Sequence, residues 1–127
     1  MNIAVIASIG LGGALGAIAR FKCRDLAEWA FGEHYLWGTL IANVIGCFIA
    51  GFLLTFWQAA QVSNSVRFGV VIGFLGALTT FSTFSVETFQ LMQQQLWLKA
   101  GLNISANLIL CMLFVFFGAW LGGRMAA

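Results

Sequence analysis

Four long apolar runs leave little chain outside them, and that pattern limits the possible folds more than any other feature. The runs cover about 3–20, 36–57, 68–92 and 100–121. Each is long enough for a helix through roughly 30 Å of hydrocarbon. Apolar residues make up 61% of the chain and charged residues 8%, where a soluble domain has roughly 25% charged. The expected fold is an all-α membrane protein, a single transmembrane domain over 1–127 with four transmembrane helices per chain. The connections, about 21–35, 58–67 and 93–99, are too short for a separate catalytic domain. Trp29, Tyr35, Trp37, Trp57, Trp97 and Trp120 fall at the span ends, where an aromatic belt belongs. The first run reads as a span and not as a cleaved leader. No positive residue precedes it, and Lys22 and Arg24 after it do not form a small-residue cleavage site.

Several function classes fall away. A net charge of +2 is too small for a nucleic-acid partner. Cys23, Cys47 and Cys111 form no CxxC pair, and the last two lie in apolar runs, which argues against a disulfide framework or a zinc site. His34 is the one histidine, and no His/Cys/carboxylate cluster or GxxxxGK[ST] phosphate loop is visible. An enzyme is therefore not expected. Close packing falls to glycine: Gly12/Gly16, Gly69/Gly73 and Gly118/Gly122 are GxxxG pairs, and Ala42, Gly46 and Ala50 form a small-residue row. Charge is nearly balanced across the membrane. Arg20, Lys22, Arg24 and Lys99 lie on one side, Arg67, Arg124 and the N-terminal amine on the other. A chain with so little bias can insert both ways.

Polar residues concentrate where lipid would exclude them. The third span reads Gly73-Phe-Leu-Gly76-Ala-Leu-Thr79-Thr80-Phe81-Ser82-Thr83-Phe84-Ser85-Val-Glu87. Five of the seven residues from 79 to 85 carry hydroxyls, enough to permit a mid-membrane break in the helix. Such breaks turn backbone groups toward an ion. Phe81 and Phe84 lie three apart among the hydroxyls, and an aromatic ring has a positive edge, which suits a small anion. Thr39, Asn43 and Cys47 in the second span and Asn103, Asn107 and Cys111 in the fourth follow at helical spacing. Hydroxyls and amide NH₂ groups are neutral donors. They can replace an anion's water shell without trapping it. Arg20 closes the first span, where it can snorkel or collect anions. Glu87 is the one carboxylate in or near a span, a functional candidate by default.

These segments resemble the Fluc family of small fluoride channels. The likeness rests on Gly12-Gly-Ala-Leu-Gly-Ala-Ile-Ala-Arg20, on Gly38-Thr-Leu-Ile-Ala-Asn43-Val-Ile-Gly46, on the run from Gly73 to Glu87, and on Asn103 with Asn107. It spans all four apolar runs in order, and Thr-Thr-Phe-Ser-Thr-Phe-Ser is its most specific part. The resemblance implies an antiparallel, dual-topology homodimer with two fluoride pores along its interface and the third helices broken and crossing at the centre. Phe81 and Phe84 would be the pore phenylalanines, with Asn43 beside them. Ser82, Thr83 and Ser85 would lie in the hydroxyl run, and Asn103 and Asn107 would continue the polar track. Thr39 and Glu87 would lie along the anion path, with Arg20 at the vestibule. Backbone carbonyls of Gly76 and Thr79 would hold a structural Na⁺ at the dimer interface. The chain departs from the family pattern in two respects. Some relatives carry an aromatic and a serine in place of Asn103 and Asn107, and Trp37 stands where proline is common.

The function so implied is passive, fluoride-selective export from the cytoplasm, protecting the cell from fluoride toxicity. The expected location is a bacterial-type inner (plasma) membrane, with fluoride, lipid and a second copy as partners and no nucleic acid. The alternative is a proton-coupled exporter of the small multidrug-resistance type. That machine needs a deep carboxylate, and the first span has none. The charge balance makes a prediction. C-terminal tags should be found on both sides of the membrane in comparable amounts, and lysines added to one set of loops should lock a single orientation. Uniform orientation of the unaltered chain in cells would overturn dual topology.

Overall fold

Without proline, an apolar chain leans on glycine and clustered hydroxyls to interrupt a helix, and two of the helices here end on such residues, Gly32 and Thr79. The computed structural model describes residues 2–32 and 35–126. His34 lies outside them, as does the side chain of Tyr35. Helix α1 spans Ile3–Phe31, α2 Tyr35–Phe56 and α3 Asn64–Phe68. A π-helical segment, Gly69–Leu75, leads directly from α3 into α4, Gly76–Leu78. Then come α5, Phe81–Gln93, and α6, Trp97–Ala126. Ile3–Phe31, Leu36–Phe56, Asn64–Gln93 and Trp97–Ala126 are each long and apolar enough to cross a membrane. No strand occurs among the described residues. The all-α, multi-pass reading therefore stands.

The ends of the elements differ from the ends of the apolar runs. The expected connection after Arg20 is instead helix as far as Phe31. No glycine or proline lies between 17 and 31. Lys22 pairs with Asp25 (3.8 Å) and Arg24 with Glu28 (3.0 Å) across single turns, a spacing that supports a solvated helix. The helix stops at Gly32, which takes a φ of 84° and returns its N–H to the Glu28 carbonyl, the conformation glycine adopts without penalty. Helix α6 likewise starts before the apolar run and ends after it. Apolarity marks the depth of the hydrocarbon, whereas the helix runs on until its backbone bonding is broken.

Packing is built on two glycine-mediated crossings. In the first, α1 lies against the π-helical segment. A Cβ at Gly12 would strike the Gly69 carbonyl, and one at Gly16 the Phe74 carbonyl. In the second, α2 and α6 run parallel in fixed register. Asn43 bonds Asn107, Gly51 abuts the Val115 carbonyl, and Thr55 donates to the Ala119 carbonyl at 2.8 Å. The sequence offset is 64 at both hydrogen-bonded rungs. Gly118 and Gly122 close the same crossing against the carbonyls of Phe48 and Phe52. Small residues admit this approach because lipid offers no hydrophobic drive to bring helices together. The small-residue row of α2 is only partly as expected. Ala42 is fully buried and Gly46 meets the Thr79 methyl, but Ala50 is exposed and Gly51 takes the crossing. The buried apolar core is correspondingly small: Ala42, Leu75 and Leu78. Leucines and phenylalanines such as Leu11 and Phe116 face outward, as lipid-facing positions do.

Candidate functional site

Helix α4 ends at Leu78. Thr79 (φ −84°, ψ 150°) and Thr80 (φ −148°, ψ 117°) are extended, and α5 starts at Phe81. Two extended residues inside an apolar span release backbone groups that lipid cannot bond. Side chains take them up. Thr80 caps α5, its Oγ1 accepting from the Thr83 N–H at 3.1 Å. Asn43 of α2 clamps Thr80 from the other side. Its Oδ1 accepts the Thr80 N–H at 2.8 Å, and its Nδ2 donates to the Thr80 carbonyl at 3.3 Å. The Thr80 N–H demands an oxygen, which fixes the orientation of the Asn43 amide.

A buried chain of bonds leads away from this clamp. The Asn43 Nδ2 also donates to Asn107 Oδ1 at 3.0 Å. Asn107 Nδ2 donates to the Asn103 carbonyl and Oδ1 at 2.9 and 3.2 Å. Asn103 Nδ2 donates to Thr88 Oγ1 at 3.0 Å, and Thr88 donates to the Phe84 carbonyl at 2.8 Å. The asparagines of α2 and α6 thus form one network that closes on α5. Thr79 bonds back to its own helix, both its N–H and its Oγ1 reaching the Leu75 carbonyl, at 3.0 and 2.9 Å. Among the carbonyls that lose the helical donors four residues ahead of them are those of Gly76 and Thr79. The Thr80 N–H goes to Asn43 and not to Gly76, and the Thr83 N–H goes to Thr80 Oγ1 and not to Thr79. Gly76 is exposed, and a Cβ there would meet the Val71 carbonyl at an ordinary 3.8 Å.

Two cavities flank α5. The larger, about 670 Å³, is lined by Arg20, Arg24, Thr39, Ser82, Thr83 and Glu87, among others. Within it Thr39 Oγ1 donates to Glu87 Oε1 at 2.6 Å. Glu87 is 6% exposed, and its Oε2 has no partner. Thr80 Oγ1 lies 3.3 Å from Ser82 Oγ and 3.0 Å from Thr83 Oγ1, joining the hydroxyls of the run. The smaller cavity, about 240 Å³, includes Asn43, Thr79, Phe81, Phe84 and Asn107 in its walls. The rings of Phe81 and Phe84 meet edge-to-face, centroids 5.4 Å apart at 61°. Phe84 is 7% exposed and Phe81 74%. Asn103 reaches the smaller cavity only through Asn107. Ser85, exposed and bonded to the Phe81 carbonyl at 2.9 Å, and Gly76 line neither cavity.

Three residues of this arrangement were not among the sequence candidates. Thr80 is the hub of the break, yet in the sequence it is one hydroxyl among five. Thr88 follows Phe84 by one turn and Thr80 by two, a signal that helical spacing could have given. Arg24 follows Arg20 by one turn, a relation hidden by ending the helix at Arg20.

A family profile described as "CrcB-like protein, Camphor Resistance (CrcB)" matches residues 7–119. Relatives named "Fluoride-specific ion channel FluC" align over most of the chain. That of Shewanella loihica is 47% identical over 110 residues, covering 87% of this chain and 89% of the relative. Those of Shewanella woodyi and Shewanella sediminis are each 44% identical over the same coverage.

The clamp carries a stability prediction. Asn43→Leu strips partners from the Thr80 N–H and from Asn107 Oδ1. Each buried group so orphaned costs about 1–3 kcal/mol. Unfolding in detergent should show that loss, and Thr88→Val, which orphans only the Asn103 Nδ2, should lose about half as much. Parental stability in Asn43→Leu would rule out the clamp.

Proposed function

This chain belongs to the CrcB-like family, and from that premise we propose that it is a fluoride-selective channel. It lets cytoplasmic fluoride leave passively, across a bacterial-type inner membrane, and so protects the cell from fluoride toxicity. The observation that carries this reading is the Phe81–Phe84 pair, set directly after the helix break with one ring against the other's edge. Ring edges and hydroxyls offer positive potential without a fixed charge, which a small anion needs in order to enter and still leave. The cavity bearing Arg20 and Arg24 serves as the vestibule that concentrates anions. Ser82 and Thr83 take over from bulk water there, while Thr39 lines the path with its proton committed to Glu87. Ser85 stands one turn beyond Phe81. Asn43, Asn107 and Asn103 shape the wall beside the rings and hold the break in place. An inside-negative potential drives one anion outward with about 2.3 kcal/mol per 100 mV, so no energy source need be attached. The alternative of a small multidrug exporter finds no support, since the relatives are named as channels.

We infer an antiparallel homodimer with dual topology, its third spans broken mid-membrane. One copy leaves Phe81 and the Gly76 face open, and a second copy would cover them. The Gly76 and Thr79 carbonyls fit a hard cation, because both have lost the donors of a regular helix and such cations prefer oxygen ligands. These two residues from each copy would hold Na⁺. When bound, the ion would offset the partial negative charge of the carbonyls and tie the two copies together.

Two experiments test this reading. In liposomes, fluoride-electrode recordings should show rapid efflux from the parent protein and severe loss in Phe81→Ile and in Phe84→Ile, with assembly intact. The substitution keeps apolar bulk but deletes the positive edge; near-parental flux in either variant would return that ring to ordinary packing. Replacing sodium by a bulky organic cation during purification should reduce flux or dissociate the dimer. Unchanged behaviour after exhaustive sodium removal would reject the ion site.

A further inference from the structure

The parallel register of α2 and α6 brings together two residues that the conduction pathway does not use. Asn43 faces Asn107, Gly51 faces Val115, and Thr55 faces Ala119. The one remaining rung of this ladder pairs Cys47 with Cys111. Both line the smaller cavity with Asn43, Phe81 and Phe84. The register of the flanking rungs sets the two cysteines at the same level of the α2–α6 crossing. Neither is in a disulfide, and both are half-buried. Cys23, the remaining cysteine, lies on α1 and lines neither cavity.

We propose that Cys47 and Cys111 form a two-thiol site for a soft, two-coordinate metal cation, and that its occupancy blocks the cavity beside Phe81 and Phe84. No third ligand is needed. Groups of three or more His, Cys, Asp or Glu able to hold a metal are absent among the described residues, which disfavours tetrahedral zinc. Thiolates select soft cations such as Cu⁺, and the d¹⁰ ions Ag⁺ and Hg²⁺ share that chemistry. The apolar surroundings decide the protonation. A charged complex is penalised in a cavity of this kind, so the neutral stoichiometries are favoured. Hg²⁺ would displace both protons, 2 RSH + Hg²⁺ → Hg(SR)₂ + 2 H⁺. A monovalent ion would displace one and keep the other sulfur as a thiol, 2 RSH + Ag⁺ → RS–Ag–S(H)R + H⁺. No oxidant enters either step. Two-thiol binding would cross-link α2 to α6 at the level of the phenylalanine pair. It would also fill a cavity of only about 240 Å³ with a heavy ion and its ligands.

The test uses the full chain in proteoliposomes, with mercury(II) nitrate and silver nitrate as the probes. Submicromolar Hg²⁺ or Ag⁺ should stop fluoride efflux, and excess dithiol should restore it. Cys47→Ser and Cys111→Ser should each raise the blocking concentration at least about tenfold, since loss of even an outer-shell partner costs about 10–100-fold in metal affinity. Cys23→Ser should leave the block unchanged. This flux arm depends on the channel reading, so a second measurement is made on purified protein without conduction. One equivalent of Hg²⁺ should remove two of the three thiols from titration by a thiol reagent in the parent, and one in either serine variant. The proposal is overturned if one equivalent consumes a single thiol in the parent, or if a folded Cys47→Ser protein is blocked at the parental concentration. Should the parent conduct no fluoride, the channel reading fails while the thiol count still decides the metal site.

Discussion

The amide of Asn43 on the backbone of Thr80 is the interaction on which the rest of the site depends. An interrupted helix in hydrocarbon exposes peptide groups to a medium that offers no hydrogen bonds. One unpaired group of this kind costs roughly 2–7 kcal/mol against an apolar reference. Asn43 answers both groups of one residue at once, accepting from the N–H and donating to the carbonyl, as a second peptide unit would. No other short side chain carries donor and acceptor in that arrangement. The clamp is held in turn by Asn107, Asn103 and Thr88. Each amide fixes the direction of the next, so the break in the third span is oriented from α6 through Asn43.

That dependence explains why α2 and α6 are packed so closely. A hydrogen bond between two short asparagines requires the helix axes to be near, and Gly51, Gly118 and Gly122 bring them near. The rungs of the ladder keep one geometry while their chemistry changes with depth. An amide pair serves the break, a thiol pair stands beside the phenylalanines, glycine meets a carbonyl, and a threonine bonds a carbonyl. Packing and polar bonding here are one device. The glycines set the spacing, and the amides turn that spacing into a specific register. Slipped one turn toward the C-terminus of α6, Asn43 would face Cys111 and lose its amide partner.

Much of this was legible in the sequence. Four spans, three GxxxG pairs, the hydroxyl run and the two asparagine stripes each had a periodicity or composition that physics could read. What escaped depended on information that apolarity lacks. The true end of α1 is set by Gly32 and two ion pairs, not by the first charged residue. The choice of Gly51 over Ala50 at the crossing is a matter of helical phase, which drifts along a long helix and is fixed by the partner. Phe81 and Phe84 share a face by spacing, yet one is buried and the other exposed, because the break leaves Phe81 as the first residue of α5 while Phe84 lies a turn further in. Thr80 became the hub for the same reason. Which hydroxyl of five leaves the helix depends on where Asn43 can reach.

The pairing pattern also bears on where an anion could pass. Inside the chain, the amides of Asn43, Asn107 and Asn103 already donate to each other, to Thr80 and to Thr88. An ion drawn through that network would have to break bonds whose loss leaves several buried groups unpaired. The outer face of α5 carries no such commitment. Phe81, Ser82 and Ser85 are exposed there, and of the two hydroxyls the Ser85 proton is spent on its own helix while its oxygen lone pairs remain open. Ser82 only approaches Thr80, so its hydroxyl can turn to donate. A path along that face has donors and ring edges on one wall and, for a single chain, lipid on the other. Fluoride in contact with lipid would bear the full cost of desolvation. Conduction along α5 therefore requires a second protein surface opposite Phe81, and this is the physical reason for tying the proposed pore to the proposed dimer.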